Sequence, residues 1–290
     1  MDKNQAVELY HKATNNRRHF AEGHQTKWFF ADGYVVSEDV FRPEALEYLQ
    51  KKQSLTHVLI DNNVNTPEVK FVGQIDDKLI EIHEYIRGHH IYSNDKSTLG
   101  LQNTQVSDED FREFSNEFNL TCARKFADLD QSIFDKLLRD IFTCTKKGMN
   151  VDFLPGNFIL NKERGVYIID LHAGTARENL CDEMITHLCY MMTDLFCITP
   201  IQMLENDPSN KDLATLIARI YSKCINSTMQ YGIQAKDMND HFSNQYYKFS
   251  KHYDGEDPQG KYEDAFEAKY IRQLAENFQN KIQVQKDCTK

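Results

Sequence analysis

Asn150-Val-Asp-Phe-Leu-Pro-Gly-Asn157, followed by Gly165-Val-Tyr-Ile-Ile-Asp170-Leu-His172, is the stretch that decides how this chain is read. It sets Asp152, Asn157 and Asp170 at fixed spacings, and Asp170 closes a short run of strand-forming residues. An aspartate at the end of a strand suits a metal ligand, because the strand fixes its direction while the loop leaves it open to solvent. Phosphoryl transfer uses this combination: one carboxylate orients a hydroxyl nucleophile, and an amide plus a second carboxylate hold Mg²⁺ on the nucleotide phosphates. Taken singly, the three residues read as an N-capping aspartate, a turn asparagine and a strand-end aspartate. Their joint spacing is what points to a shared site.

Working outward, residues 2–16 form a polar helix candidate. Lys27-Trp-Phe-Phe and Tyr34-Val-Val flank Asp32-Gly33 and read as a hairpin. A helix follows from Glu44, with Pro43 in its first turn. Val69-Lys-Phe-Val-Gly and the run from Leu79 to Ile86 flank Asp76-Asp77 as a second hairpin, which Gly88 ends. Beyond it the pattern is helical. Ser107 to Asp110 offers a capping box, Phe111, Phe114 and Phe118 recur at helical spacing, and Ile133, Leu137, Leu138, Ile141 and Phe142 mark another amphipathic helix. Helices resume near Glu178, with breaks at Asp207-Pro-Ser and Asp254 to Gly260 and a last helix from Tyr262 to Ile282. The predicted class is α+β in two lobes: an N-terminal extension over 1–25, a small β-rich lobe over 26–88 and a large helical lobe over 89–290.

Asp152-x-x-x-x-Asn157 and Asp170, eighteen positions after the first aspartate, resemble the catalytic and metal-binding motifs of the protein kinase-like superfamily. The Pro-Gly-Asn-Phe-Ile-Leu and Ile-Ile-Asp-Leu-His wording is most similar to its small-molecule branch: aminoglycoside phosphotransferases, choline kinases and lipopolysaccharide-core sugar kinases. The resemblance implies a two-lobed kinase-like fold, ATP and Mg²⁺ as cofactors, Asp152 as the catalytic residue, and Asn157 and Asp170 as metal ligands. It also implies a strand lysine gripping the α- and β-phosphates from a helix glutamate, for which Lys27 with Glu44 (or Glu47, one turn on) is the best pair. Glu84, Tyr85 and Ile86 would present backbone groups to adenine, and Asp182 would brace the catalytic loop.

The wording also departs from the family. No glycine-rich loop is recognisable, Gly23 alone preceding the Lys27 strand. Asn150-Val151 stands where protein kinases carry His-Arg, and Asp-Leu-His replaces Asp-Phe-Gly. A short segment after Asp170 leaves little platform for an extended peptide. These features favour an ATP- and Mg²⁺-dependent phosphotransferase acting on a hydroxyl of a small molecule or glycan. A compact atypical protein kinase of the bacterial effector type is the alternative, and a pseudokinase or binding scaffold is the alternative of another class. Adenylylation on the same fold is a further option.

Composition narrows the field. The 290 residues carry 44 acidic and 34 basic side chains, a formal net charge of −10, which argues against a duplex nucleic-acid binder that works by phosphate neutralisation. The polar N-terminus reads as no signal peptide, and no apolar run is long enough to span a membrane. Seven cysteines without paired spacing give neither a disulfide framework nor a zinc site, and eleven histidines show no His-Glu-x-x-His spacing. A reduced cytoplasmic protein is the expectation, with export as an effector left open. Its partners would be a nucleotide and a hydroxylated acceptor; the sequence is silent on oligomeric state.

Overall fold

The turn Asp32-Gly33 folds back β2 (Lys27–Ala31) onto β3 (Tyr34–Val40), and both turn residues are left-handed, at φ 50° and 83°. That geometry matches the twist of the flanking strands. Asp76-Asp77 does the same for β4 (Val69–Ile75) and β5 (Lys78–Glu84) at φ 46° and 61°, with no glycine. Short polar side chains tolerate this region better than others. With β1 (His19–Glu22) these strands make a five-stranded antiparallel sheet in the order β1-β2-β3-β5-β4. The computed structural model describes residues 1–15, 19–22, 27–90, 108–206, 210–238 and 240–241.

Two units divide the chain. The first holds the described residues up to 90 together with 140–180; the second holds 108–139 and those from 181 onward. In the first, α1 (Lys3–Asn15) buries Ala6, Leu9, Tyr10 and Ala13, a stripe at helical spacing, against Phe29, Val36, Ile75, Ile80 and Ile82. The Tyr10 hydroxyl donates to Glu38 at 2.8 Å. In this way α1 covers apolar sheet surface that would otherwise face water, and β1 extends the sheet.

After β3 comes α2 (Pro43–Asp61), which lies against β4 and β5. Proline suits its first turn, where the missing N–H has no helical partner to lose. Asn65, just beyond α2, is bonded four ways: its N–H to Asp140 Oδ2 at 3.1 Å, its amide to the Arg164 and Val166 carbonyls, and its own carbonyl to Ile168 N–H at 2.9 Å. These bonds tie α2 to the segment carrying Asp152 and Asp170. That segment was expected within the helical lobe and groups with the first unit. It contains β7 (Met149–Asn150), β8 (Phe158–Asn161), β9 (Gly165–Ile168) and β10 (His172–Ala173). β8 pairs with β9 and with β6 (His89–His90), and β7 pairs with β10.

Helices build the second unit: α3 (Asp108–Ala127), the first half of α4 (Gln131–Lys147), α5 (Asp182–Asn206) and α6 (Lys211–Met229). Phe196 packs on Phe126 and Phe134 with ring centres 5.1 and 4.9 Å apart. Ser227 bridges the core polar groups, donating to Asp135 and accepting from Gln131. Asn210 caps α6 by accepting the Leu213 N–H at 3.1 Å. The described chain thus has a small β-rich N-terminal part and a helical C-terminal part, as the sequence reading expects. No described helix is long and apolar enough to cross a membrane. Gly23, Asp207-Pro-Ser, Asp254 to Gly260 and the helix expected over Tyr262 to Ile282 lie outside the described residues.

Candidate active site

Gly148 ends α4 in the left-handed region at φ 83°, where a Cβ would also meet the Ala176 nitrogen at 2.8 Å. The chain then enters β7, which pairs with β10 so that Asn150 faces His172 and Met149 faces Ala173. Gly174 N–H donates to Gly148 O at 2.7 Å and Arg177 N–H to Lys146 O at 3.2 Å. A side chain on Gly174 would strike Asn150, so glycine permits this close approach. The segment before Asp152 is in this way zipped to the segment after Asp170.

Between them, Pro155–Asn157 forms a 3₁₀ turn. Asn157 Nδ2 donates to Asp152 Oδ2 at 3.2 Å and to the Asp152 carbonyl at 3.4 Å, while the Asn157 carbonyl accepts Ile169 N–H at 2.8 Å. One asparagine therefore holds the aspartate loop and the end of β9 together through its Nδ2 and its carbonyl, and its Oδ1 is an atom that could ligate a metal. Asp170 follows at φ 54°, a left-handed conformation uncommon for a residue with a side chain. Its side chain is 55% exposed and that of His172 51%. Asp152, Asp170 and His172 each offer one ligand atom, and all three atoms lie within 4.8 Å of one another. Two carboxylates and an imidazole are a donor set that fits a divalent cation.

α2 closes another side of the site. The Tyr48 hydroxyl accepts the Ala173 N–H at 3.2 Å and lies 3.4 Å from His172 Nδ1, and Lys51 Nζ donates to the Gly174 carbonyl at 3.2 Å. One turn on, Lys52 reaches into the sheet at Glu81 of β5, with Nζ 3.1 Å from Oε1 and 3.5 Å from Oε2. Both side chains are largely buried, at 18% and 6% exposure. The nearer oxygen, Oε1, is buried with Lys52 as its ionic partner and no hydrogen bond among the described residues. Burial disfavours the Lys52 ammonium, but Glu81, by charge and hydrogen bond, and then Asp170 and Tyr48 outweigh it and hold the pKa above the ordinary lysine value.

Of the residues expected from sequence, Asp152, Asn157 and Asp170 are brought together. Lys27 and Glu44 are not. Lys27 is exposed at the start of β2, opposite Glu38 in register, and Glu44 is exposed in the first turn of α2, where the helix macrodipole favours an acid. Among the described residues no ion pair joins Lys27 to Glu44 or Glu47. At the hinge, Glu84 N–H donates to Glu68 O and Tyr85 N–H to Gly33 O, both at 3.0 Å, so these two donors are already committed. Ile86 is buried beside Ile159 and Tyr167. Asp182 is the first residue of α5 and is exposed.

Lys52 and Glu81 are the pair that the sequence reading missed. Lys52 sits in Gln50-Lys-Lys-Gln53, which reads as a solvated helix face. The available signal was Glu81, an acid set between Ile80 and Ile82 in the middle of a strand, where a buried carboxylate needs a partner.

No family model matches the sequence, and no curated protein does either. Among solved structures, the chain is similar to the bifunctional kinase-methyltransferase WbdD. Two WbdD structures align over 69% of this chain, at 14% and 15% identity and a TM-score of 0.33. The aligned part covers 43% and 42% of the WbdD chains, so this chain spans less than half of their length.

Proposed function

We propose that this protein is an ATP- and Mg²⁺-dependent phosphotransferase whose acceptor is a hydroxyl of a small molecule or glycan. The observation that supports it is the convergence of Asp152, Asn157 and Asp170, with the Asn157 amide fastened to Asp152. In this reading Asp152 orients the acceptor hydroxyl and takes its proton. Asp170 and the Asn157 Oδ1 hold the metal, and His172 is a third donor within reach. Mg²⁺ so bound supplies charge neutralisation at the phosphates of ATP. Everything else the chain contributes is orientation and fixed charge. Ile86 offers an N–H to the base, since the N–H groups of Glu84 and Tyr85 are taken, and the Glu84 carbonyl, which His83 Nδ1 meets at 3.3 Å, has a second lone pair for it.

The acceptor class rests on chain length. Asp182 already opens α5, so the stretch after Asp170 is too brief to lay out an extended peptide. The test is Mg·ATP binding by calorimetry, with phosphate transfer scored against a panel of hydroxylated acceptors, for the wild type and Asp170→Asn. Metal-dependent binding that the substitution abolishes is the expected outcome. A folded wild-type protein that binds no nucleotide, with or without Mg²⁺, overturns the proposal and leaves the scaffold reading. Transfer to protein hydroxyls alone would instead identify a compact protein kinase.

A further inference from the structure

We infer that Lys52, carried by α2 and braced by Glu81 of β5, is the cation that binds the phosphates of the nucleotide. The helix then supplies the lysine and the strand supplies the glutamate. The inference rests on the phosphotransferase reading and names one more residue of that site.

Place is the first argument. Tyr48 and Lys52 are one turn apart on α2, and Tyr48 touches His172 and Ala173, immediately after Asp170. The charge of Asp170 is felt at Lys52 itself. A cation one turn from Tyr48 on this face of α2 is therefore turned toward the segment that follows Asp170, the side on which the phosphates of a metal-bound nucleotide would lie.

Unspent bonding capacity is the second. An ammonium has three N–H donors. Among the described residues Lys52 has a single hydrogen-bond acceptor, Glu81, and that bond is long at 3.5 Å. Even with both Glu81 oxygens facing the ammonium, at least one donor remains for a ligand. A buried ion pair is also poor value as a structural device, since apolar residues of similar volume commonly match its stability. A lysine kept charged there, at the edge of a cation site, is better explained by an anion that it meets.

Competition is the third. β3 runs directly opposite β5, with Ser37 across from Glu81, and its seven residues include no lysine. Ser37 is buried and its hydroxyl donates to the Glu81 carbonyl at 3.4 Å. Lys27, the strand lysine expected from sequence, is exposed and lies opposite Glu38 instead. No strand cation reaches Glu81 among the described residues.

Removing Lys52 alone would strand a buried carboxylate, so the informative variant is the uncharged pair Lys52→Met with Glu81→Gln. Mg·ATP affinity, kcat and KM would be measured for this variant, Lys52→Arg, Lys27→Met and the wild type, with Mn²⁺ binding in the absence of nucleotide as the check on the metal site. The expected result is a folded double variant that still binds Mn²⁺ but loses on the order of 100-fold in kcat/KM for Mg·ATP. Lys52→Arg should recover part of that loss. Wild-type affinity and turnover in the double variant would overturn the inference, and so would a loss that follows Lys27→Met instead. A wild type that binds no nucleotide overturns the phosphotransferase reading, and the inference falls with it.

Discussion

Glu81 and Asp170 are both carboxylates whose charge acts on Lys52, yet the fold treats them in opposite ways. Glu81 sits in the middle of a central strand, almost wholly buried, with its neighbours Ile80 and Ile82 in the core. Asp170 stands past the end of β9, more than half exposed, in a backbone conformation that few side chains accept. A buried acid needs its partner to exist, whereas an exposed one keeps oxygens available for something that arrives later. The same charge is thus a structural brace in one place and an open ligand in the other.

The contrast breaks most sharply on paired substitutions. Asp152→Ala or Asp170→Asn should abolish measurable transfer, a loss of about 1000-fold or more, while moving the thermal midpoint little, because both groups are at least partly open to solvent. Glu81→Ala should do the reverse in kind: it leaves a buried ammonium unpaired and costs about 3–5 kcal/mol in denaturant unfolding. If Glu81→Ala proves neutral for stability, the brace is not one.

A smaller effect is expected at Tyr48, which touches the open side of the comparison. Tyr48→Phe removes the hydroxyl that accepts the Ala173 N–H, worth about 1 kcal/mol. Because the bond steadies the segment just after Asp170, divalent-cation affinity should fall with it. An unchanged affinity, measured by Mn²⁺ titration, would show that the loop holds its shape without α2.

His83 gives the finest probe, since both members of the buried pair act on it. Burial pushes its pKa below the ordinary histidine value, Glu81 pulls it up and Lys52 pushes it down. A lowered histidine contributes stability above its unfolded pKa of about 6.5, and loses it as pH falls through the folded value. His83→Gln should therefore flatten the decline in stability below about pH 6.5. An unchanged slope in His83→Gln would mean that the histidine is not held below its ordinary value in the folded protein.

Much of the sheet was legible because its signals are local. Asp32-Gly33 and Asp76-Asp77 announce their hairpins, and Pro43 announces the start of α2. That Asp152, Asn157 and Asp170 come together was expected from their spacing and strand context, although the two-residue pairing of β7 with β10 that joins the segment's ends is too short to leave a pattern. α1 was half legible. Its helix was evident, but a polar composition hid the stripe Ala6, Leu9, Tyr10 and Ala13 that ties it to the core. Lys52 and Glu81 were illegible as a pair because 29 positions separate them and only the packing of a helix on a sheet brings them together. Charge partners chosen by tertiary contact carry no signature in the order of residues.

The zipper formed by β7 and β10 sets how easily the site comes apart. Among the described residues, two residue pairs and the bonds from Gly174 and Arg177 fasten the segment after Asp170 to the one before Asp152 along this seam. So short a ladder opens far below the cost of global unfolding, and its amides exchange with deuterated solvent through that local opening. A cation spanning Asp152 and Asp170 would clamp both sides of the seam at once. The amides of Gly174 and Arg177, remote from any ligand atom of their own, become reporters of whether the site is filled.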